Sequence, residues 1–504
     1  MFAYPFSMTT LIKNIFVVDG SGASPVRSDV LVRDNKIVAL GSFPNYKADR
    51  VILGNEGYLV PGFIDVDAGS DRYMTLFSAP AHTDFLLQGI TSVVVGHCGF
   101  SLAPMLYGSM GRFSDWSRGN HNIDWKSVAD FLKALGRLPL GVNIASLVGH
   151  KIIREDILKN PNEFRKLTAN ELRVFRGVVA RSLDEGAFGL SFGLGYYPYQ
   201  NVSFHELRAL VDIIHEHKGV FSVHLRNERE KLIESVDEVL RLSQETAVAG
   251  IISHLRPFVG FEDEYRQAIA HIEEKSAKAN VYFDINPFNS SAVTLDTFLP
   301  PSLLGQDRSF VLSQLRDKKV EKEIELLLPR IDSKKIIILN APGMEFLNGT
   351  SLFTFAANRQ LSARQALLTL MEITQLRGVV FFENLNKEEV ARALLSERAL
   401  ISTNSPSFDS LSSFKPDRST KTFPTYFSMA NSEGVSIEKA VAKVSGLVAS
   451  IFGFDGRGFV SDGYFADLVL LTKGFSVSMV MVNGVVSVEG GSVLSSSSGN
   501  ILSP

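Results

Sequence analysis

Cys98, His224 and His254 are the residues whose types and places could do chemistry together. Cys98 is the only cysteine among 504 residues and stands in QGITSVVVGHCGFSLAP, Gln88 to Pro104, directly after the β-branched, uncharged run Thr91 to Val95. Such a run suits a strand buried on both faces, and the glycine-flanked turn after it puts Cys98 just past the strand's carboxyl end. His224 ends VFSVHLRNE and His254 ends GIISHLRP, one βα unit later. One thiolate, two imidazoles and a solvent position make the open four-coordinate set of a catalytic zinc, which acidifies a water and polarises a carbonyl. Singly, Cys98 reads also as a small buried apolar residue and each histidine as a hydrogen-bonded structural one. A shared location at one end of a barrel is what joins them.

The elements that must position them can be read in order. Residues 11 to 58 are short strands, with Asp34-Asn35 a hairpin turn, and they form a small antiparallel unit. Phe465 to Leu471 and Ser478 to Gly491 are again strand-like around an Asn483-Gly484 turn. Residues 1–60 and 454–504 are therefore expected to build one small β-domain. From 61 to 453, apolar strands alternate with helices whose starts carry the capping-box form at Thr168/Glu171, Ser203/Glu206 and Ser362/Gln365. Inner strands fall at Phe63 to Val66, Ile90 to Val95, Val142 to Val148, Phe188 to Ser191, Val220 to His224, Gly250 to His254, Asn280 to Ile285 and Ala399 to Thr403. Eight parallel strands with intervening helices predict a (β/α)8 barrel with its active site at the strands' carboxyl ends. Ile336 to Asn340 is assigned to an insertion near 290–350, because the connection there is otherwise too long. Val379 to Phe382 is also strand-like and is left open.

Composition narrows the function classes. Hydrophobic residues at 45% and charged residues at 21%, with a net charge of −3, are ordinary for a globular protein and give no reason to expect nucleic acid. A single cysteine excludes an internal disulfide and fits the cytoplasm. No basic region precedes an apolar run at the N-terminus, and no segment has eighteen uninterrupted apolar residues, so neither secretion nor a membrane span is expected. Met8 is an alternative start to Met1, and an oligomer is left open.

VVDGSG, LVPGFIDVD, QGITSVVVGHCGFSLAP, NIASLVGH, GAFGLSFGL, SVHLRNE, ISHLR, KTFP and GYFADLVLL, taken in sequence, resemble the N-acyl-D-amino-acid deacylases (D-aminoacylases) of the amidohydrolase superfamily. The resemblance implies a metal-dependent barrel with a small β-sandwich from both termini, zinc on Cys98, His224 and His254, and a small-molecule substrate, an N-acylated D-amino acid. Five positions depart from the family pattern. Asp67-Ala68-Gly69 stands where a His-x-His metal pair is expected, and Asn404 where an aspartate acts as general base. Asn286 replaces a tyrosine and Arg256 a lysine, so contacts to the substrate are altered.

An amide cannot take a proton from water, and losing a general base removes a factor of about a hundred to ten thousand in rate. Two explanations compete. In one, a displaced group such as Asp67, Asp71 or Asp409 moves the proton. In the other, hydrolysis is lost and the fold serves binding or assembly. The joint survival of Cys98, His224 and His254 favours the first. A cyclic-amide hydrolase of the hydantoinase or dihydroorotase type is a further alternative. Arg226 and Arg256, each two residues past a histidine of the set, are candidates to hold a substrate carboxylate. His150 in LVGH, which ends a strand, is a further candidate at the site, and His97 reads as a supporting donor or an exposed loop residue.

Overall fold

The computed structural model describes residues 7–107, 125–159, 165–196, 199–300, 302–304, 306–328, 331–408 and 414–504. Strands at Phe63–Asp65, Ile90–Val95, Asn143–Ser146, Gly189–Gly193, Val220–His224, Ala249–Ile252, Val281–Ile285 and Ala399–Ile401 coincide with the eight inner strands expected. Neighbours pair in parallel, the third strand reaching the fourth through its continuation Val148–Gly149. The ring closes where the Asn404 N–H donates to the Asp67 carbonyl at 2.9 Å and the Thr403 N–H to Asp65 Oδ1 at 3.0 Å. Helices cover the outside and side chains fill the inside, so nearly every strand residue is buried, which explains the uninterrupted apolar runs in the sequence. This is a (β/α)8 barrel. All its strands point the same way, so Asp67, Cys98, His224, His254 and Asn404 gather at one rim.

The termini build the β-domain. Thr9–Val17, Val26–Arg33, Lys36–Gly41 and Arg50–Pro61 join Leu468–Leu471, Val477–Val482, Val485–Glu489 and Ser492–Val493 in one eight-stranded sheet. Ile37 near one edge and Val486 near the other share a core with Leu59 and Leu468, so the sheet folds over itself as a sandwich. The unit is not wholly antiparallel. Thr9–Val17 and Arg50–Pro61 run parallel, because the hairpin Val26–Arg33/Lys36–Gly41 takes one edge of the first strand and the chain crosses to the other. Asp467, in a buried ion pair with Arg457, ties this domain to the barrel by accepting a hydrogen bond from Asn143 Nδ2 at 3.1 Å.

After the seventh barrel strand the chain builds an antiparallel sheet from Ser290–Thr294, Ile336–Asn340 and Val379–Glu383, with its own apolar core. Val379–Glu383 thus belongs to the insertion, which runs past 350. Among the described residues no helix is long and apolar enough to cross a membrane.

Candidate active site

Cys98 Sγ lies 3.2 Å from His254 Nε2, and His224 Nδ1 lies 3.0 Å from that same nitrogen. All three side chains are buried, and their donor atoms fall within 4.8 Å of one another. Tetrahedral zinc with N and S ligands holds them roughly 3.3–3.6 Å apart, so these two pairs would need to open by only a few tenths of an ångström. The donors fit one such ion. Two of the three are held in unfavourable backbone: Cys98 has φ 57° and His254 φ 40°, as does Asn404 with φ 43°. Left-handed backbone at a non-glycine residue costs on the order of 1–3 kcal/mol and persists where the surroundings impose it. The turns after the strands impose it here.

The charges are arranged around the sulfur. Burial by itself pushes the Cys98 thiol up, but the His254 and Arg72 charges, with hydrogen bonds from both histidines, hold it well below its usual range. Burial likewise disfavours a charged His254, yet the facing thiolate lifts it to about 10. The pair shares a proton that a metal ion would displace. Glu228 sits 3.7 Å from His224 Nε2 and 3.7 Å from His254 Nδ1. Burial would raise this carboxyl, but its ion pair with Arg256 keeps it ionised.

A cavity of about 210 Å³ opens over the set, lined among others by Asp67, Asp71, Arg72, His97, Tyr196, Asn286, Asn404 and Arg418, and by Ser291–Thr294 of the insertion. Asp67 Oδ2 accepts a hydrogen bond from Asn404 Nδ2 at 3.1 Å. The two positions that depart most from the family pattern therefore meet, and a carboxylate stands at the first strand's end instead of the eighth's. Asp71 accepts the Gly96 N–H at 2.9 Å, and burial raises it to about 6. Burial raises the Tyr196 phenol, so it stays protonated beside the His224 ring, 4.4 Å between centroids.

Sequence reasoning placed some residues elsewhere. His97 is buried, not exposed: its Nδ1 meets Ser222 Oγ at 3.2 Å, and its Nε2 has no hydrogen-bond partner among the described residues. Arg226 does not reach the cavity, because Glu238, in the second turn of the next helix, takes its guanidinium, with Nε to Oε2 at 2.7 Å. His150 begins the helix after its strand and bonds Glu206 at 2.9 Å in a buried cluster with Arg154. Asn286 and Arg256 do line the cavity, the latter already paired with Glu228. Asp409 lies outside the described residues.

Arg418 was not foreseen. It is 5% exposed, lines the cavity, and its guanidinium makes no hydrogen bond or ion pair among the described residues, only a contact over the Phe381 ring at 5.4 Å. A buried cation without an anion awaits one. Spacing gave no sign of it, because its segment folds back to the rim only through tertiary packing, Asp84 with Lys415 and Gln88 with Ser419.

No protein-family model matches the chain. It is 28% identical to a D-aminoacylase of Alcaligenes xylosoxydans xylosoxydans over 92% of this chain and 88% of that protein. A solved D-aminoacylase, described for a binuclear metal centre with one-metal activation and second-metal attenuation, superposes with TM-score 0.79 at 25% identity over 98% of this chain and 99% of that one. The N-acyl-D-glutamate deacylase of Bordetella bronchiseptica, solved with zinc and a phosphonate mimic of the tetrahedral intermediate, superposes with TM-score 0.81 at 23% identity over 98% and 99% of the two chains. By sequence across nearly its whole length and by fold, the chain is a divergent relative of the N-acyl-D-amino-acid deacylases of the amidohydrolase superfamily.

Proposed function

We propose that the chain is a zinc-dependent hydrolase that cleaves the amide of an N-acyl-D-amino acid. The observation that carries this reading is the meeting of three groups at one cavity: the Cys98, His224 and His254 donor set, the Asp67 carboxylate and the unpaired Arg418 guanidinium. Cys98, His224 and His254 hold the ion, which when bound supplies Lewis acidity toward the amide carbonyl and acidifies a water. Arg418 pairs with the substrate carboxylate and fixes the amino-acid end of the molecule. Asp67, oriented through Oδ2 by Asn404, keeps Oδ1 for the proton. It accepts that proton from the attacking water and returns it to the departing amine nitrogen. Tyr196 donates to the oxygen on which negative charge develops.

A free carboxylate on the substrate is what distinguishes the readings. A cyclic ureide without one would leave Arg418 unpaired, so the cavity favours the linear substrate over the hydantoinase-type alternative. Support for the D configuration comes from the relatives' names. A cysteine used as a buried ligand supports a cytoplasmic location.

The test is amine release from a panel of N-acyl-D-amino acids, N-acyl-L-amino acids and cyclic ureides by the zinc-loaded protein. Turnover confined to the linear D series is expected. Turnover of cyclic ureides alone would overturn the substrate class, and zinc-loaded protein inert to every amide would favour a binding role.

A further inference from the structure

Ser290–Thr294, the first strand of the insertion, lies at the edge of its sheet and forms part of the cavity wall. Resting on the proposed function, we propose that the acyl half of the substrate is a peptide, bound as an added strand along this edge. The reaction then removes a C-terminal D-amino acid from a peptide. Water cleaves the last amide, leaving a carboxylate on the shortened peptide and a free amine on the released residue.

The phase of the backbone fixes which groups are free. Ala292 lies directly opposite Phe381, and Thr294 opposite Val379, in the antiparallel pairing with Val379–Glu383. The Leu295 N–H donates to the Gly378 carbonyl at 3.0 Å, so the odd-numbered residues turn their N–H and C=O groups toward that partner strand. Alternation turns those of Ser290, Ala292 and Thr294 off the sheet. Thr297 Oγ1 donates to the Thr294 carbonyl at 2.6 Å. Among the described residues the Ala292 N–H, the Ala292 carbonyl and the Thr294 N–H meet no protein partner. A peptide residue lying alongside would exchange two hydrogen bonds with Ala292.

Sequence and packing suit such an occupant. Open edges are normally blunted by charge or proline, and Ser-Ser-Ala-Val-Thr carries neither. One face of the sheet, with Val293 and Val380, packs into the insertion core. The other, with Ala292 and Phe381, turns to Tyr73 and Phe408 of the barrel loops. Arg418 lies over the Phe381 ring at 5.4 Å, one strand away from Ala292. Strands are spaced by about 4.8 Å and an extended residue spans about 3.4 Å, so the residues just before the one whose carboxylate Arg418 holds come within reach of the edge. A simple alkanoyl group carries no further amide to pair there.

The experiment measures kcat/KM of the zinc-loaded protein for one D-amino acid carrying an acetyl, an acetyl-alanyl or an acetyl-dialanyl group, and for the last with its alanine nitrogens methylated in turn. Peptidyl substrates should exceed the acetyl one by roughly 5- to 150-fold, the worth of two net hydrogen bonds. Methylation of one alanine nitrogen should abolish the gain. Ala292→Pro, which deletes an outward N–H without removing a sheet bond, should bring peptidyl and acetyl substrates to the same kcat/KM, with circular dichroism checking the fold. Equal values for acetyl and peptidyl substrates in the wild type, or a gain that survives methylation at every alanine, overturns the inference and leaves the hydrolase reading standing. A dimer broken by Ala292→Pro, without that gain, gives the edge to a second copy of the chain and overturns it as well. Protein inert to all of these amides sinks the hydrolase reading and this inference with it.

Discussion

Replacing Arg418 with methionine should make the protein a poorer catalyst and no less stable, and the structure gives the size of each effect. In the free protein the guanidinium is buried without an acid, and burial pushes its pKa down to about 10. That depression corresponds to about 3 kcal/mol of unfavourable charge burial. Methionine removes the charge and roughly keeps the volume, so thermal stability should hold or rise. With substrate bound, the lost charge-assisted bond is worth about 1.5–3 kcal/mol, or roughly 10- to 150-fold in kcat/KM. The assay compares an N-acyl amino acid with its carboxamide, which lacks the anion. Wild type should prefer the acid, and Arg418→Met should handle both alike. An equal loss on both substrates, or a fall in Tm, would show that Arg418 is structural and refute the reasoning.

Other perturbations follow from the same geometry. Asp67→Asn should lower kcat by about a hundred- to ten-thousand-fold with zinc content unchanged, read by steady-state kinetics beside metal analysis. Burial raises Asp65 to about 7, so the folded chain keeps a proton that the unfolded chain gives up near pH 4. The unfolded state then binds fewer protons between about pH 4 and 7, and stability falls as pH rises across that window, by up to about 4 kcal/mol. Melting curves of Asp65→Asn should be flatter over this range than those of wild type. Asp467→Ala strands the buried Arg457 charge and should destabilise by about 3–5 kcal/mol in chemical denaturation, while activity per folded molecule is retained.

The barrel was legible because its strands are buried on both faces and its helices begin with side chains that satisfy their own first N–H groups. Thr168/Glu171 and Ser362/Gln365 close capping boxes as read. Ser203 caps its helix, but Glu206 turns away to His150 and Arg154, a competition between partners that spacing cannot reveal. Asn483 and Gly484, both at positive φ, make the hairpin turn their types require. Cys98, His224 and His254 were legible because each follows a recognisable strand, and parallel strands share an end. Arg418 was not, because an arginine's role depends on which carboxylate lies within reach. Glu238 claims Arg226 and Glu228 claims Arg256, leaving Arg418 to the cavity, and only the folded chain decides that allocation.

The central claim is that Cys98, His224 and His254 hold one metal ion at the floor of this cavity. Its most direct test is the zinc content of the purified protein beside Cys98→Ala, His224→Ala and His254→Ala. One equivalent in the wild type and none in any of the three folded variants is the predicted result. Wild-type protein that binds no metal, or variants that all retain it, would contradict the account.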